Sequence, residues 1–269
     1  MGIILIIFLL GGNFVSAQKD TDWLSLSFDY LKQNQLDSAE IALKTFMKKE
    51  PDNPINPFLL NNLGTIQRRL GKPDQALVSY TAALGEFPKQ PVFLEARASL
   101  FAEMGQARNA ILDYSTLLEV TPRDEEAMYQ RGLLYLQIKN TDLAEADFKK
   151  ILEINPNSSY ARRGMASLAK FRGDYENSEK IYNYLLDKEP KDFNLYAGRA
   201  ELYLLMNRPG RALSDIEQAF HFAGDNSQNP YLYIIRYRTN MMLHEKESAL
   251  KDLKKAISLG YKDDETTTQ

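Results

Sequence analysis

The amino-acid sequence predicts an all-α protein, an α-solenoid of seven helix-turn-helix units stacked in chain order. The first observation is a period of 34 residues that separates Pro88, Pro122, Pro156 and Pro190. A repeat of this length is typical of solenoids, in which each unit buries its apolar side against its neighbours. The second observation is that small residues recur at positions 8 and 20 of the period. The third is that glycine or asparagine recurs at position 15, between them.

The prolines set the boundaries of the units. With Pro156 as the reference, the units span residues 20–53, 57–90, 91–124, 125–158, 159–192, 193–226 and 230–263, with three-residue insertions after the first and the sixth. Proline occupies position 1 in three units and position 17 in two. Proline is favoured at the first position of a helix, where its missing N–H would have no partner anyway. Positions 1 and 17 are therefore expected to start the two helices of each unit.

A turn is expected at position 15, where five of the seven residues are glycine or asparagine. The position holds Asn34, Gly71, Gly105, Lys139, Gly173, Asn207 and His244. Glycine and asparagine tolerate the left-handed backbone conformation that commonly ends a helix. The first helix of each unit should end here, and the chain should turn back.

Small residues at positions 8 and 20 predict that the two helices of a unit approach each other closely. Position 8 holds Ser27, Gly64, Ala98, Gly132, Ala166, Ala200 and Tyr237, and position 20 holds Ala39, Ala76, Ala110, Ala144, Ser178, Ala212 and Ala249. Tyr237 is too large for this pattern. We interpret it as an adjustment in a terminal unit, one face of which meets no neighbouring repeat.

These features resemble the tetratricopeptide repeat (TPR) family. The first unit carries the family pattern at Trp23, Leu26, Tyr30, Ala39 and Pro51, and the second carries it at Leu63, Gly64, Ala76, Tyr80, Ala83 and Pro88. The resemblance covers an array from residue 18 to residue 263. It implies a right-handed superhelix whose first helices line a concave groove for protein or peptide partners.

Candidate partner-binding residues come from positions 2, 5, 9 and 12, which the resemblance places on the groove. They are Tyr129, Leu133, Tyr160, Arg163, Lys170, Asn61 and Arg68. We expect Tyr129, Tyr160, Arg163 and Lys170 to form the main patch, because tyrosine and arginine are enriched in binding hot spots. The alternative is that these are ordinary solvated groove residues. Only Asn62 matches the carboxylate clamp of chaperone-binding TPR proteins, which argues against an acidic chaperone tail as the ligand.

Four units have an arginine at position 7 and an aspartate at position 23, 16 residues further along the chain. The pairs are Arg97/Asp113, Arg131/Asp147, Arg199/Asp215 and Arg236/Asp252. We interpret them as ion pairs between the two helices of a unit rather than as a row of substrate sites.

No catalytic constellation is recognisable, so we expect a protein that is not an enzyme and that has no cofactor or metal. The chain has no cysteine, two isolated histidines and no glycine-rich phosphate-binding loop. The net charge of −3 lacks the basic excess of nucleic-acid-binding proteins.

The N-terminal residues 1–17 are interpreted as a signal peptide. Residues 3–10 are all apolar, and Val15-Ser16-Ala17 resembles a signal-peptidase site, which predicts cleavage before Gln18. No lysine or arginine precedes the apolar run, and an uncleaved membrane anchor is the alternative. After cleavage no integral membrane span is expected. Residues 264–269 form a polar tail.

The sequence thus predicts an exported scaffold or adaptor in a periplasm, in a cell envelope or outside the cell. It would bind protein or peptide partners, including those of an envelope-membrane-associated complex. The alternative is a regulatory or substrate-presenting subunit of a cell-envelope enzyme or secretion complex.

Overall fold

A computed structural model describes residues 21–224 and 227–261, and this part of the chain contains fourteen α-helices and no strand. The helices are α1 (Trp23–Lys32), α2 (Leu36–Lys49), α3 (Asn56–Arg69), α4 (Pro73–Glu86), α5 (Pro91–Glu103), α6 (Ala107–Val120), α7 (Glu125–Gln137), α8 (Thr141–Ile154), α9 (Ser159–Phe171), α10 (Tyr175–Lys188), α11 (Phe193–Leu205), α12 (Pro209–Ala223), α13 (Pro230–Met242) and α14 (Lys246–Ser258). The predicted signal peptide and polar tail lie outside the described residues. None of the described helices is long and apolar enough to cross a membrane.

The chain divides into two compact units, one up to Pro88 and one from Lys89 onward. In the first, α1 pairs with α2 and α3 with α4, and α2 packs on α3. In the second, α5 to α14 form five such hairpins, and each second helix packs on the first helix of the next hairpin. Each of the two compact units therefore has the layered packing of an α-solenoid, which confirms the predicted fold class.

The turn inside every hairpin has a left-handed residue at the predicted position. All seven residues at position 15 have positive φ, between 54° and 79°. After Lys139, the Asn140 N–H donates to the Tyr135 carbonyl (2.8 Å), which closes the end of α7. Lys139 and His244 adopt this conformation although it strains a residue with a Cβ. The turn therefore forms at this position even where the residue is neither glycine nor asparagine.

Large rings at position 24 fill the space that glycines leave between helices. Phe148 on α8 is fully buried, and a Cβ added to Gly132 of α7 or to Gly164 of α9 would overlap its ring. Tyr80 lies against Gly64 in the same way within the first compact unit. The ring thus contacts the first helix of its own hairpin and, at Phe148, the first helix of the next.

The four arginine–aspartate pairs join the two helices of a hairpin, as predicted. In one of them, Arg131 donates to both carboxylate oxygens of Asp147 at 2.7 and 2.9 Å, and the aspartate is buried. Arg131 also donates to Ser115 of the preceding hairpin (3.0 Å), and Arg199 does so to Asn183 (2.6 Å). These two arginines therefore also connect neighbouring hairpins.

Glutamates at position 21 tie consecutive hairpins together. In the first compact unit, Glu40 of α2 is nearly buried and accepts hydrogen bonds from Lys44, Gln67 and Lys72. Burial alone would raise the pKa of Glu40, but these hydrogen bonds lower it to about 2. In the second compact unit, Glu179 accepts a hydrogen bond from Tyr203 (2.9 Å) of the next hairpin. Position 21 therefore lies at the junction between hairpins.

Gly132→Leu is expected to destabilise the protein by about 1–3 kcal/mol, because the new side chain must displace the fully buried ring of Phe148. Thermal or urea unfolding followed by circular dichroism measures the effect. Gly85→Leu is the matched control, since a Cβ there meets nothing and leucine favours the helix. Equal melting temperatures for the two variants would contradict the proposed packing.

Lys139→Gly is expected to stabilise the protein by about 0.5–1 kcal/mol, because glycine adopts the left-handed conformation without strain but loses more chain entropy on folding. The reciprocal change, Gly105→Ala, should destabilise it by a similar amount, since no neighbouring atom lies near that position. Urea midpoints compare the two variants with the wild type. Shifts of the same sign for both would refute the backbone explanation.

Candidate functional site

A concave groove of about 1200 Å³ lies in the second compact unit, on the side formed by α7, α9, α11 and α13. It is lined by Leu133, Leu136, Gln137, Lys139, Ser167, Lys170, Phe171, Tyr175, Glu201, Leu204, Leu205, Tyr231, Tyr237, Arg238, Met241 and Met242. Ten of these sixteen side chains are aliphatic, aromatic or methionine. The groove is therefore mainly apolar, with a few charged groups.

Helical periodicity explains which residues face the groove. Positions 9 and 12 of the period, three residues apart, lie on one face of a helix. The structure places both positions on the groove wall in four consecutive hairpins, at Leu133, Leu136, Ser167, Lys170, Glu201, Leu204, Arg238 and Met241. Other faces of these helices pack against the second helix of the same hairpin. The side chains at positions 9 and 12 are thus left for the groove.

Several large apolar side chains of the groove are open to solvent. Leu205 is 52% exposed, Phe171 47% and Tyr231 43%, whereas Leu136 is buried. Contiguous exposed apolar surface of this kind marks sites of interaction with other molecules. Met241, also exposed, adds a flexible and polarisable side chain that adapts to differently shaped ligands.

The charged groups of the groove are of two kinds. Lys170 forms an ion pair with Glu201 across the groove wall. Burial opposes the charge of Lys170, but the neighbouring Tyr182 and Glu201 raise its pKa, so it stays protonated at neutral pH. Lys139 and Arg238 are exposed and make no ion pair with any residue that the structure describes. These two cations are the ones available to a ligand.

Two tyrosines of the predicted patch are brought together. The ring centroids of Tyr129 and Tyr160 are 5.5 Å apart with an interplanar angle of 46°. Burial raises the pKa of Tyr129 to about 12, and burial together with Glu126 raises the pKa of Tyr160. Both hydroxyls are therefore neutral at physiological pH and can act only as hydrogen-bonding groups.

Arg163, the third member of the predicted patch, is already bound within the protein. Its guanidinium forms ion pairs with Glu189 (2.5 Å) and with Asp192, at the end of α10 and before the start of α11. It therefore fixes the connection between these helices. Of the four patch residues, Lys170 lines the groove, whereas Tyr129, Tyr160 and Arg163 lie outside its lining.

The remaining predicted residues lie in different places. Leu133 is on the groove wall. Asn61 and Arg68 are on α3, in the first compact unit, where Asn61 is buried and Arg68 is half-buried. Burial leaves Asn61 little surface for a partner.

The groove residues at position 13, and Tyr237, are absent from the set predicted from the sequence. Phe171, Leu205 and Met242 follow position 9 by four residues, so the same helical spacing could have revealed them. Tyr237, interpreted above as an adjustment in a terminal unit, has its side chain on the groove. Its large size at a position for small residues is the signal that the sequence offers.

The groove has the character of a binding site. Within the described residues, no group of three or more histidine, aspartate or glutamate side chains could hold a metal ion. The apolar walls and the flanking cations provide shape, hydrophobic contact and charge for a ligand.

Comparisons with known proteins agree with this architecture. The tetratricopeptide repeat family model matches residues 125–158. A tetratricopeptide repeat protein from Parabacteroides merdae ATCC 43184 is 48% identical over 91% of this chain and 94% of its own, with a TM-score of 0.77. No curated protein matches the chain.

More distant solved structures share the fold. A thermophilic TPR protein in Thermus thermophilus is 22% identical over 70% of this chain and 99% of its own, with a TM-score of 0.59. PilW, described as a widely conserved type IV pilus biogenesis factor, is 16% identical over 80% and 98%, with a TM-score of 0.55. The repeated hairpins, their packing and the close similarity to the Parabacteroides protein lead to one conclusion: the chain belongs to the tetratricopeptide repeat family.

Proposed function

We propose that the protein is an exported adaptor that holds a segment of a partner protein in the groove formed by α7, α9, α11 and α13. The observation that carries the proposal is the composition of the groove, which is lined by ten apolar or aromatic side chains and by Arg238 and Lys139, cations without an ion pair in the described part of the chain. A peptide segment with apolar side chains and one or two carboxylates fits this surface.

The groove is suited to extended contact with a peptide. Its walls come from four consecutive hairpins, so a bound segment crosses several helices and contacts each of them. The aromatic rings of Tyr231 and Tyr237 provide large contact areas at low entropic cost, and the tyrosine hydroxyls can bond a peptide backbone. Lys170 and Glu201 neutralise each other and shape the wall without adding net charge.

Export is proposed from the sequence of residues 1–17. Their apolar run and the Val15-Ser16-Ala17 site support cleavage before Gln18 and a location in a periplasm, in a cell envelope or outside the cell. The absence of cysteine is compatible with an oxidising compartment. In that setting the adaptor would bind a partner within an envelope complex.

Replacing Tyr231 and Met241 together with alanine is expected to abolish partner capture, because truncating a hot-spot residue costs about 2 kcal/mol or more of binding free energy. The wild type and the double variant are used as bait with native envelope extract, captured proteins are identified by mass spectrometry, and the affinity of the recovered partner is then measured. Circular dichroism should show unchanged helicity, since both side chains are exposed.

The control for that experiment is Leu112→Ala. Leu112 on α6 is 66% exposed and does not line the groove, so its truncation removes apolar surface elsewhere. A partner that binds the double variant and the wild type with equal affinity would exclude the groove as its binding site.

The mature protein is expected to begin at Gln18 if the N-terminal segment is a cleaved signal. Intact-mass analysis and N-terminal sequencing of the protein recovered from its native host measure this directly. A chain that retains Met1 would exclude cleavage and favour the alternative of a membrane anchor. Ser16→Leu with Ala17→Leu should block processing and serves as the comparison.

A further inference from the structure

The last described helix, α14, exposes two large apolar side chains on one face. Leu250 is 61% exposed and Ile257 55%, and they stand seven residues apart, so both lie on the same side of the helix. Leu253 lies between them and is partly buried against the neighbouring core. We call Leu250, Leu253 and Ile257 the end-face stripe. Another face of α14, at Ala249 and Ala256, is buried in its own hairpin.

One position of this stripe is buried at three of the four preceding junctions and half-buried at the fourth, at Leu152. Ile257 is at position 28, and the residues at position 28 of three earlier hairpins in the second compact unit, Leu118, Leu186 and Phe220, are at most 8% exposed. At Phe220 the cover is visible: the ring of Tyr233 on α13 lies 4.9 Å away and the guanidinium of Arg236 lies over it at 4.0 Å. The end-face stripe is thus the surface on which the next helix packs elsewhere in the solenoid.

The end-face stripe also differs in its polar groups from two of the earlier junctions, although position 21 is likewise apolar at Ile111 of α6 and Leu213 of α12. Position 21, which holds Glu145 and Glu179 in two earlier hairpins and receives basic side chains there, holds Leu250 in α14. The exposed charges of α14 are four lysines, Lys246, Lys251, Lys254 and Lys255, against Glu247. None of the four lysines forms an ion pair with a residue in the described ranges. The surface is therefore apolar at its centre and basic around it.

We propose that the end-face stripe binds an amphipathic helix of another protein, one with an apolar stripe flanked by acidic residues. This site is distinct from the groove and its occupant. The occupant would take the place that a further first helix occupies at each internal junction, with its carboxylates near Lys246 and Lys254. The occupant is expected to be a helix because a helix covers the corresponding face at the internal junctions, and it is expected to be acidic because the surrounding side chains are lysines.

Two other occupants fit less well. A second copy would set α14 against α14, and the lysines of one helix would face those of the other. Residues 262–269 of this chain are acidic at Asp263, Asp264 and Glu265, but they include no large apolar side chain that could cover Leu250 and Ile257. An acidic amphipathic helix satisfies both the apolar and the charged part of the surface.

The absence of cysteine allows a site-specific test. The Ile257→Cys variant of the full chain carries an environment-sensitive fluorophore on its single thiol, and Leu112→Cys carries the same fluorophore as control. The probes are two synthetic amphipathic helices with the same leucine stripe, one flanked by glutamates and the other by lysines. The glutamate peptide should shift the emission of the label at position 257 toward the blue and leave the label at position 112 unchanged.

Charge preference is the second readout. The glutamate peptide should bind about tenfold more tightly than the lysine peptide at low salt, since several exposed ion pairs each add a small increment. Rising salt should reduce the difference. In the variant with Lys246→Glu and Lys254→Glu the preference should reverse. Circular dichroism checks that the exposed substitutions leave the fold intact.

Three results would overturn the proposal. The first is no response of the label at position 257 to either peptide. The second is equal affinity for both peptides, or an unchanged preference in the charge-reversed variant. The third is a blue shift that rises with protein concentration in the absence of peptide, together with dimers in sedimentation experiments. That last result would assign the end face to a second copy.

Discussion

The packing of one large ring between helix backbones is the interaction on which this structure depends. Phe148 is enclosed by Gly132 of its own hairpin and by Gly164 of the next, and neither position has room for a Cβ beside it. Because the ring contacts both helices, it fixes the spacing within a hairpin and between hairpins at once. Protein interiors are packed closely enough that such a contact leaves few alternatives. The neighbouring hairpins repeat it at Tyr182 and Gly198.

The groove and the end face follow from that packing. When positions 8, 20 and 24 are used for contact between helices, the side chains at positions 9, 12 and 13 of the first helices are left to form the groove wall. At each junction, a second helix is covered by the next first helix, so the last described helix presents a face of the same kind without such a cover. Both surfaces are thus consequences of one repeated contact, although the groove is enclosed by several hairpins and the end face belongs to one helix.

Charges in this protein mostly hold helices together. The predicted arginine–aspartate pairs do so within hairpins, and Glu40, Glu145 and Glu179 do so between them. Arg163 stands at a position of the repeat that is expected to face the groove. Its two carboxylate partners, however, lie at the end of α10 and before α11, so they are near in space but far along the chain from α9. A half-buried guanidinium needs such partners, because an unpaired buried charge is costly. Its pairing could not be read from the spacing of residues along α9.

The sequence by itself determined the helices, the turns and the order of packing, because these depend on local spacing: a period of 34 residues, a left-handed residue at position 15, and small residues where helices touch. It also indicated the groove positions 9 and 12, since they lie on one helix face. Only the tertiary structure decided which side chains are available for binding. Lys170 is paired with Glu201, Asn61 is buried, and Tyr237 faces the groove, because each outcome depends on residues contributed by another helix. Availability for a partner is a property of the assembled surface, and the exposed end of α14 is one more example of it.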